Sequence, residues 1–420
     1  MYEKLSDTFK GVAVKYLTTV DATSKSNQHE IGGLTKAGIA DLLGYPENGE
    51  KREIPATLVY MSDDSEDIIT IEDKVTWYDT RFNQLHRSAE YRLYYKPNEV
   101  TRLFSEGYFF LIALTHDNQL LMIFTPPGSE AEAQLRSLFG IYDEEIKNKF
   151  SEVSFSESSI IVPVRLLLEQ LGIDITPVIE KESQYLDLIR EKFGLIFPKT
   201  RPFSEFARTI HIEEGLSIRS PDEALVSWMD TEEMLFRVLE REIVKEKLKE
   251  GFGEHGDDVD EFIAYSLSVQ NRRKSRVGHA FENHIEKILI DNQIVFQRGG
   301  RTEGKQKPDF LFPGEQSYQS MAFEESNFRM LGAKTTCKDR WRQVLAEANR
   351  IKRKHLITIQ AAISEDQTSE MQDKNLQLIV PSPLHPTFTK KQQDWLFTFS
   401  DFVHEVRKIQ DDAGVSWSRS

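Results

Sequence analysis

Short apolar segments alternate with polar and turn-forming residues through the first half of the chain. Between residues 54 and 124, the segments ATLVYM, DIITI, KVTWY, EYRLYY and YFFLIAL are separated by Asp, Asn, Gly and Pro. Segments of this length, bounded by turn residues, are typical of β-strands. The pattern therefore predicts a β-rich domain, which we place at residues 1–173.

Longer amphipathic segments alternate with short apolar ones in the second half. Helices are predicted over residues 221–250, 258–267, 276–292, 338–353 and 390–410. Strands are predicted at IVFQ, PDFLF, FRMLGAK, HLITIQ and LQLIV, which begin at residues 294, 308, 328, 355 and 376. This alternation is typical of an α/β domain in which helices flank a mixed sheet. We place that domain at residues 201–420 and a linker, which contains Pro177 and Pro198, at residues 174–200.

The composition is that of a folded, soluble protein. The 420 residues are 39% hydrophobic and 29% charged, and no apolar run approaches the ~20 residues of a membrane span. The opening segment MYEKLSDTFKGVAVKYL has neither a continuous apolar stretch nor a small-residue cleavage site, so it does not indicate a signal peptide. The single cysteine, Cys337, excludes an internal disulfide and a zinc cluster. We therefore expect a cytoplasmic protein.

Net charge alone argues against nucleic-acid binding, but the distribution of charge does not. The chain carries a formal net charge of −15, whereas affinity for DNA comes largely from Lys and Arg on phosphates. Cationic residues nevertheless cluster three times in the second half, at residues 272–276, 334–342 and 350–354. An acidic protein can therefore carry a local basic surface.

One acid and one lysine define a candidate site. Asp309 lies in KPDFLFP, and Lys334 ends the apolar segment FRMLGAK on the next predicted strand. An acid and a lysine at one sheet edge form the PD-(D/E)XK nuclease arrangement, in which acids bind Mg²⁺ and the lysine orients water and offsets phosphorane charge. The alternative is that both are ordinary surface residues, because such a pair recurs by chance.

The second acid of that arrangement is missing from its usual place. The position two before Lys334 is Gly332, which cannot bind a metal. Glu347, in the predicted helix CKDRWRQVLAEANR, can reach back over the strand end, and Glu282, in GHAFENHIEKIL, is a further candidate acid. The alternative for both is a solvated charge on a helix surface.

Three segments resemble the catalytic half of the EcoRII-like type IIE restriction endonucleases, whose active site is of the Ecl18kI/NgoMIV type. They are NRRKSRVGHAFENHIE, KPDFLFPG and LGAKTTCKDRWRQVLAEANRI, and the resemblance spans roughly residue 198 to the C-terminus. In that group the second acid has moved from the strand to the following helix. The resemblance implies catalytic roles for Asp309, Lys334, Glu347 and Glu282, with Mg²⁺ on Asp309 and Glu347.

The resemblance also implies how the protein contacts DNA. Lys338, Asp339 and Arg340 would read C:G pairs, since Arg can donate two hydrogen bonds to guanine and Asp can accept one from cytosine. The alternative is a salt-bridged helix start. A second set of cations is expected to contact phosphates, unless it is a solvated charge run: Arg272, Arg273 and Arg276. Trp228 could stack on an extruded base, although a tryptophan in an amphipathic helix is more often a core residue.

The first half resembles the same family more faintly, in KREIPATLVYM, YDTR and HRSAEYR. The implied fold is a β-pseudobarrel that binds a second, uncleaved copy of the target and otherwise blocks the catalytic cleft. Candidate effector-DNA contacts are Arg81, Arg87, Glu90 and Arg92. Alternating Arg and Glu on a hairpin are equally consistent with solvated cross-strand pairs.

The sequence therefore favours a type II restriction endonuclease that cuts double-stranded DNA at a CC(N or W)GG-like site. A homodimer is expected, because each active site cuts one strand of a near-palindromic target. A DNA cytosine methyltransferase of the same restriction-modification system is the expected functional partner. Two alternatives remain open here: a DNA-binding regulator on a nuclease-like fold, and a repair or junction-resolving nuclease.

Overall fold

A computed structural model describes residues 9–22, 29–63, 68–84, 86–139, 141, 151–152, 182–210, 214–304, 306–337 and 340–416. The chain divides into two compact units. The first comprises Met1–Pro177 with Ala361–Ser364, and the second comprises Val178–Gln360 with Glu365–Ser420. No helix among the described residues is long and apolar enough to cross a membrane.

The first unit is built on one eight-stranded sheet. Its strands are β1 (Phe9–Tyr16), β2 (Glu30–Gly32), β3 (Lys51–Tyr60), β4 (Ile69–Asp79), β5 (Tyr91–Tyr94), β6 (Phe109–Thr115), β7 (Leu120–Thr125) and β8 (Ser151–Glu152). The spatial order is β2-β5-β4-β3-β7-β6-β1-β8, and every pairing is antiparallel except that between β3 and β7. The predicted β-rich pseudobarrel is confirmed.

Short helices accompany this sheet, and a cluster of buried apolar side chains packs against it. The helices are α1 (Thr19–Ala22), α2 (Ile39–Leu43) and α3 (Glu130–Leu138). Trp77, Leu93, Phe110 and Phe124 are fully buried within one apolar cluster. Residues 69–71 of the predicted segment DIITI and all of KVTWY belong to the single strand β4, because ten residues of β3 pair with it in one register.

The second unit contains a five-stranded mixed sheet. Its strands are β9 (Gln297–Arg298), β10 (Phe310–Phe312), β11 (Arg329–Lys334), β12 (Lys354–Thr358) and β13 (Leu376–Ile379), in the order β13-β12-β11-β10-β9. Strands β11, β12 and β13 are parallel, whereas β10 is antiparallel to both of its neighbours. Each predicted strand is present, although IVFQ contributes only its last residue to β9.

Helices flank this sheet, as predicted for an α/β domain. They are α4 (Glu182–Phe193), α5 (Thr200–Ile210), α6 (Leu216–Arg219), α7 (Pro221–Glu250), α8 (Val259–Asp291), α9 (Glu315–Gln319), α10 (Trp341–Leu345), α11 (Glu365–Asp373), α12 (Lys390–Gln393) and α13 (Phe399–Asp412). Helix α7 has the predicted bounds. Helix α8 joins the two helices predicted around residues 258–292, because no helix-breaking residue separates them.

Candidate active site

The sheet register brings Asp309 and Lys334 together. Strands β10 and β11 pair with Phe310 opposite Leu331, and extending this register by one residue places Asp309 opposite Gly332. The Oδ2 atom of Asp309 accepts hydrogen bonds from the backbone amide of Ala333 at 2.7 Å and from Nζ of Lys334 at 2.7 Å. Both side chains are 21% exposed, so the ion pair is partly shielded yet open to a ligand.

Gly332 has a packing role at this edge. A Cβ atom built on Gly332 would lie 2.8 Å from Cγ2 of Val344 in helix α10, well inside van der Waals contact. Val344 is buried, and its branched side chain has little freedom to move away. The absence of a side chain at Gly332 therefore allows helix α10 to lie close over strand β11, which an Asp or Glu at this position would prevent.

The close approach of α10 brings Glu347 to the pair. The prediction placed Glu347 inside a helix that runs to residue 353, but α10 ends at Leu345. Glu347 lies in the following turn, where its amide donates to the carbonyl oxygen of Val344 at 3.2 Å and Ala348 has a φ of 50°. That left-handed conformation ends the helix, so the predicted helix is corrected to one of five residues.

The negative charge of the Glu347 carboxylate is only partly compensated by its surroundings. Burial and the negative charge of Asp309 raise the pKa of Glu347 to about 7, against the opposing effects of Lys334 and Lys354. Its Oε2 atom is buried without a hydrogen-bond partner. Two neighbouring carboxylates, one of them with an unsatisfied oxygen, are an oxygen ligand set suited to a hard divalent cation.

Glu282 contacts β9, the strand that lies beside β10 at the edge of the sheet. Its Oε2 accepts from Nη2 of Arg298 at 2.5 Å, and Arg298 also donates to Glu286 at 3.0 Å. Arg298 lies opposite Phe310 in the pairing of β9 with β10. The structure therefore ties Glu282 to the strand beside Asp309 through Arg298, a cation that no pattern in the sequence singles out.

Among the described residues, no group of three or more His, Cys, Asp and Glu side chains is arranged to hold a metal ion. Asp309 and Glu347 are a pair of neighbouring carboxylates, and Oδ2 of Asp309 already accepts a hydrogen bond from Lys334. A cation held here would therefore need ligands besides these two carboxylates. Mg²⁺ is commonly bound by one or two protein carboxylates, with substrate phosphate oxygens and water as its other ligands.

The predicted DNA contacts fall in different environments. Arg340 is exposed just before helix α10 and has no ion-pair partner among the described residues, whereas Lys338 and Asp339 lie outside the described residues. Arg272 is exposed and its guanidinium lies 3.9 Å from the ring centre of Phe197. Arg273 is half-buried and its Nε donates to Glu240 at 2.7 Å.

Arg276 corrects one prediction. Its side chain is 5% exposed, its Nη2 donates to Glu232 at 2.7 Å, and its guanidinium lies over the rings of Phe203 and Phe236. Contact with a phosphate would break a buried ion pair, and removing one partner of such a pair costs roughly 3 to 5 kcal/mol. Arg276 is therefore a core residue rather than a phosphate contact.

Trp228 is also buried, in the layer formed by helices α5, α7 and α8 (the helix layer). The side chain is 7% exposed, its ring centre is 5.7 Å from that of His284, and the guanidinium of Arg208 lies 5.7 Å from it. Trp228 therefore has the environment of a core residue, which was the alternative to a role in base stacking. A stacking role would require the ring to leave these contacts.

The predicted effector contacts form a network in the first unit. Arg92 donates to Glu90 at 2.8 Å and to Glu30 at 3.2 Å, and Arg81 pairs with Glu90. Arg87 is exposed. Arg81, Glu90 and Arg92 therefore form ion pairs with one another or with Glu30, as in the alternative interpretation of these residues. Arg87 is accessible to a ligand.

A mixed sheet flanked by helices, with an acid, a lysine and a second acid at one edge, defines the class of nucleases with a restriction-endonuclease-like fold. Comparison with known proteins assigns the family. The EcoRII C-terminal family model matches residues 236–403. The type II restriction enzyme EcoRII of Escherichia coli is 31% identical over 406 residues, which cover 96% of this chain and 95% of that enzyme. The chain therefore belongs to the EcoRII family of type II restriction enzymes, and it is a site-specific deoxyribonuclease.

Other similarities are more partial. The type II restriction enzyme SsoII of Shigella sonnei is 26% identical over 157 residues, which cover 34% of this chain and 50% of that enzyme. Metal-depleted Ecl18kI bound to uncleaved, modified DNA covers 57% of this chain and 87% of its own, with 19% identity and a TM-score of 0.45. The PspGI–substrate DNA complex covers 51% and 94%, with 15% identity and a TM-score of 0.42.

Membership of this family sets aside the regulator and the junction nuclease as alternatives. It also implies the use of a divalent metal ion, and the unsatisfied oxygen of Glu347 beside Asp309 fits that requirement.

The raised pKa of Glu347 predicts how stability depends on pH when no metal is present. The carboxyl titrates near 4.5 when unfolded and at about 7 when folded, so the unfolded state loses its proton first as pH rises. Stability should therefore fall between about pH 4.5 and 7 and change little from this source above pH 7. Glu347→Gln, which carries no charge, should escape this loss.

Urea unfolding with EDTA at pH 5 and pH 8 measures the effect. The gap in free energy of unfolding between Glu347→Gln and the wild type should widen in favour of the variant at pH 8. Glu324→Gln, at an exposed position, serves as the matched control. A gap that is the same at both pH values would show that the Glu347 carboxyl is not held in this environment.

Proposed function

We propose that Asp309, Glu347 and Lys334 form the active site that hydrolyses DNA phosphodiester bonds with Mg²⁺. The observation that carries the proposal is the convergence of Lys334 Nζ, 2.7 Å from Asp309 Oδ2, with the half-buried carboxylate of Glu347. Two carboxylates that repel each other at a partly shielded sheet edge favour a divalent cation between them.

Each of the three residues has a separate task in this proposal. Asp309 and Glu347 would hold the cation, which supplies positive charge to the phosphate oxygens when bound. Lys334 would orient the attacking water and offset the charge that develops on phosphorus-bound oxygens, since its ammonium is fixed at the strand end by Asp309. Cleavage would leave 5′-phosphate and 3′-hydroxyl ends.

Glu282 enters the proposal as an upstream acid that acts through its neighbour. Arg298, to which it is bonded, sits on the strand beside Asp309. Glu282 can approach the reacting phosphate only if that ion pair opens or moves with it. Its contribution is therefore expected to be smaller than those of Asp309 and Lys334.

Removal of charge at the central pair tests the chemistry. Asp309→Asn keeps an oxygen that can accept from the Ala333 amide, and Lys334→Met keeps the length of the side chain. Each should lower cleavage by at least about 100-fold, because each removes charge that stabilises the transition state. Specific DNA binding, measured by gel shift without divalent metal, should be retained, since neither residue is proposed to contact bases.

Lys307→Ala, which removes an exposed positive charge two residues before Asp309, is the control for charge alone. Full cleavage by either Asp309→Asn or Lys334→Met would remove the active-site assignment.

Target recognition is proposed for the segment that follows Lys334. Arg340 is exposed just before α10, in the connection that follows Lys334 at the end of β11. A guanidinium there can donate two hydrogen bonds to guanine. With Lys338 and Asp339 it would read the CC and GG flanks of a CC(N or W)GG-like site, while Arg272 and Arg273 would contact phosphates.

Arg340→Ala should weaken specific binding by about 1 to 3 kcal/mol and leave nonspecific binding almost unchanged. Arg342→Ala is a matched control on the same helix, because Arg342 pairs with Glu370 at 3.0 Å. Arg272→Ala should weaken both kinds of binding. Competition binding with cognate and scrambled duplexes measures the two constants, and an unchanged ratio for Arg340→Ala would show that this segment is structural.

The proposed assembly is a homodimer, because one active site per subunit can cut only one strand at a time. Its functional partner is a cytosine methyltransferase that protects the host sites, and both would act on double-stranded DNA in the cytoplasm.

For the first unit we propose effector-DNA binding and control of cleavage. Arg81, Arg87, Glu90 and Arg92 are grouped around the end of β4 and the start of β5. Phosphates could replace Glu90 and Glu30 as partners of the arginines, since partly exposed ion pairs contribute little free energy. Exchange of these carboxylates for phosphates would make the ion pairs of the first unit depend on whether effector DNA is bound.

If the first unit restrains cleavage, effector DNA can relieve it only by binding the active state more tightly. The full-length enzyme should then cut plasmid with one site poorly and plasmid with several sites well, and a variant that begins near residue 181 should cut both. Substitution of Arg81 and Arg92 by alanine should reduce stimulation by added site-bearing oligonucleotide.

Initial rates on the two plasmids provide the measurement, and the truncated enzyme's own rate shows that its chemistry is intact. Equal cleavage of single-site plasmid by the full-length and truncated proteins would leave the first unit as an auxiliary DNA clamp.

A further inference from the structure

The turn that carries Glu347 is held by side chains that the proposed chemistry does not use. Glu347 lies in the connection between helix α10, which ends at Leu345, and strand β12, which begins at Lys354. Within it, Ala348 has a φ of 50°. A non-glycine residue keeps this conformation only where surrounding contacts fix it.

Lys354 holds the carbonyl side of this turn. Its side chain is 6% exposed, and Nζ donates to the carbonyl oxygen of Glu347 and, at 2.5 Å, to that of Ala348. A buried ammonium is costly unless it is hydrogen-bonded. Movement of the turn would break those hydrogen bonds and leave the buried ammonium without acceptors. The position of Glu347 is therefore coupled to the hydrogen bonding of Lys354.

Glu303 holds the amide side. Its Oε2 accepts from the backbone amide of Asn349 at 3.0 Å, and its Oε1 accepts from the Tyr318 hydroxyl at 2.5 Å. The same hydroxyl accepts from the backbone amide of Arg350 at 3.1 Å. Glu303 belongs to the loop that leads into Asp309, so one side chain links the backbone segments that carry both acids.

We propose that Lys354 and Glu303 are positioning residues for cleavage: they fix the turn from its carbonyl and amide sides and so keep Glu347 beside Asp309, ready for a divalent cation. This inference rests on the proposed role of Glu347 as a cation ligand. Residues that orient metal ligands in this way typically change metal affinity or activity by ~10 to 100-fold when they are removed.

Cation binding by the full-length protein without DNA separates positioning from catalysis. Free Mn²⁺, measured by electron paramagnetic resonance during titration, should show a dissociation constant raised about tenfold in Lys354→Met and in Glu303→Ala. Lys352→Met is the matched control, because it removes an exposed positive charge two residues away. Its dissociation constant should equal that of the wild type.

Amide hydrogen exchange provides a second readout. Peptides that span residues 346–351 should exchange faster in Lys354→Met and Glu303→Ala than in the wild type or Lys352→Met. Cleavage by the two variants should need about tenfold more Mg²⁺ for half-maximal rate, and it should recover at saturating Mg²⁺, whereas a variant damaged in chemistry would not recover.

Glu347→Gln separates failure of this inference from failure of the proposed function. If Glu347→Gln binds Mn²⁺ and cuts DNA like the wild type, the proposed site itself is wrong. If Glu347→Gln loses both, but Lys354→Met and Glu303→Ala bind Mn²⁺ normally, only the positioning role is overturned. Should Lys354→Met fail to fold, Glu303→Ala decides the question, since Glu303 is half-buried in a loop.

Discussion

The candidate site depends on one electrostatic constraint, the proximity of two carboxylates at a partly shielded sheet edge. Asp309 is compensated by Lys334 at 2.7 Å, but Glu347 keeps a buried oxygen without a partner and a pKa of about 7. Such an arrangement is costly for the protein alone, and a divalent cation bound as proposed would offset that cost. Strain of this kind at one place in a fold is a common mark of a functional site.

Much of the surrounding structure serves to maintain that proximity. The antiparallel register of β10 and β11 brings Asp309 to Lys334. Gly332 lets α10 approach β11, and Lys354 and Glu303 bond to the turn after α10. The register, the close approach at Gly332 and the bonds from Lys354 and Glu303 all act at the backbone segments that carry the two acids.

In both units, some arginine side chains are paired with acidic residues of the protein, whereas others are exposed and can contact a ligand. Arg276 is bonded to Glu232 inside the helix layer, whereas Arg272, four residues earlier and one turn away, is exposed. In the first unit, Arg92 forms ion pairs with Glu30 and Glu90, whereas Arg87 is exposed. A local basic surface on a chain with net charge −15 therefore depends on which cations lack an internal acidic partner.

The sequence by itself determined the two-part organisation into β-rich and α/β regions, the bounds of α7, and the adjacency of Asp309 and Lys334. These features follow from local hydrophobic periodicity and from the placement of an acid and a lysine on successive strands. Tertiary structure decided the rest. Glu347 lies outside its predicted helix because α10 ends at Leu345 and Ala348 adopts a left-handed conformation, and Arg276 is a core residue because Glu232, 44 positions away, lies beside it. Local pattern cannot reveal a partner that is distant in the chain, and it is such partners that decide whether a charged side chain is a ligand, a pair or a core residue.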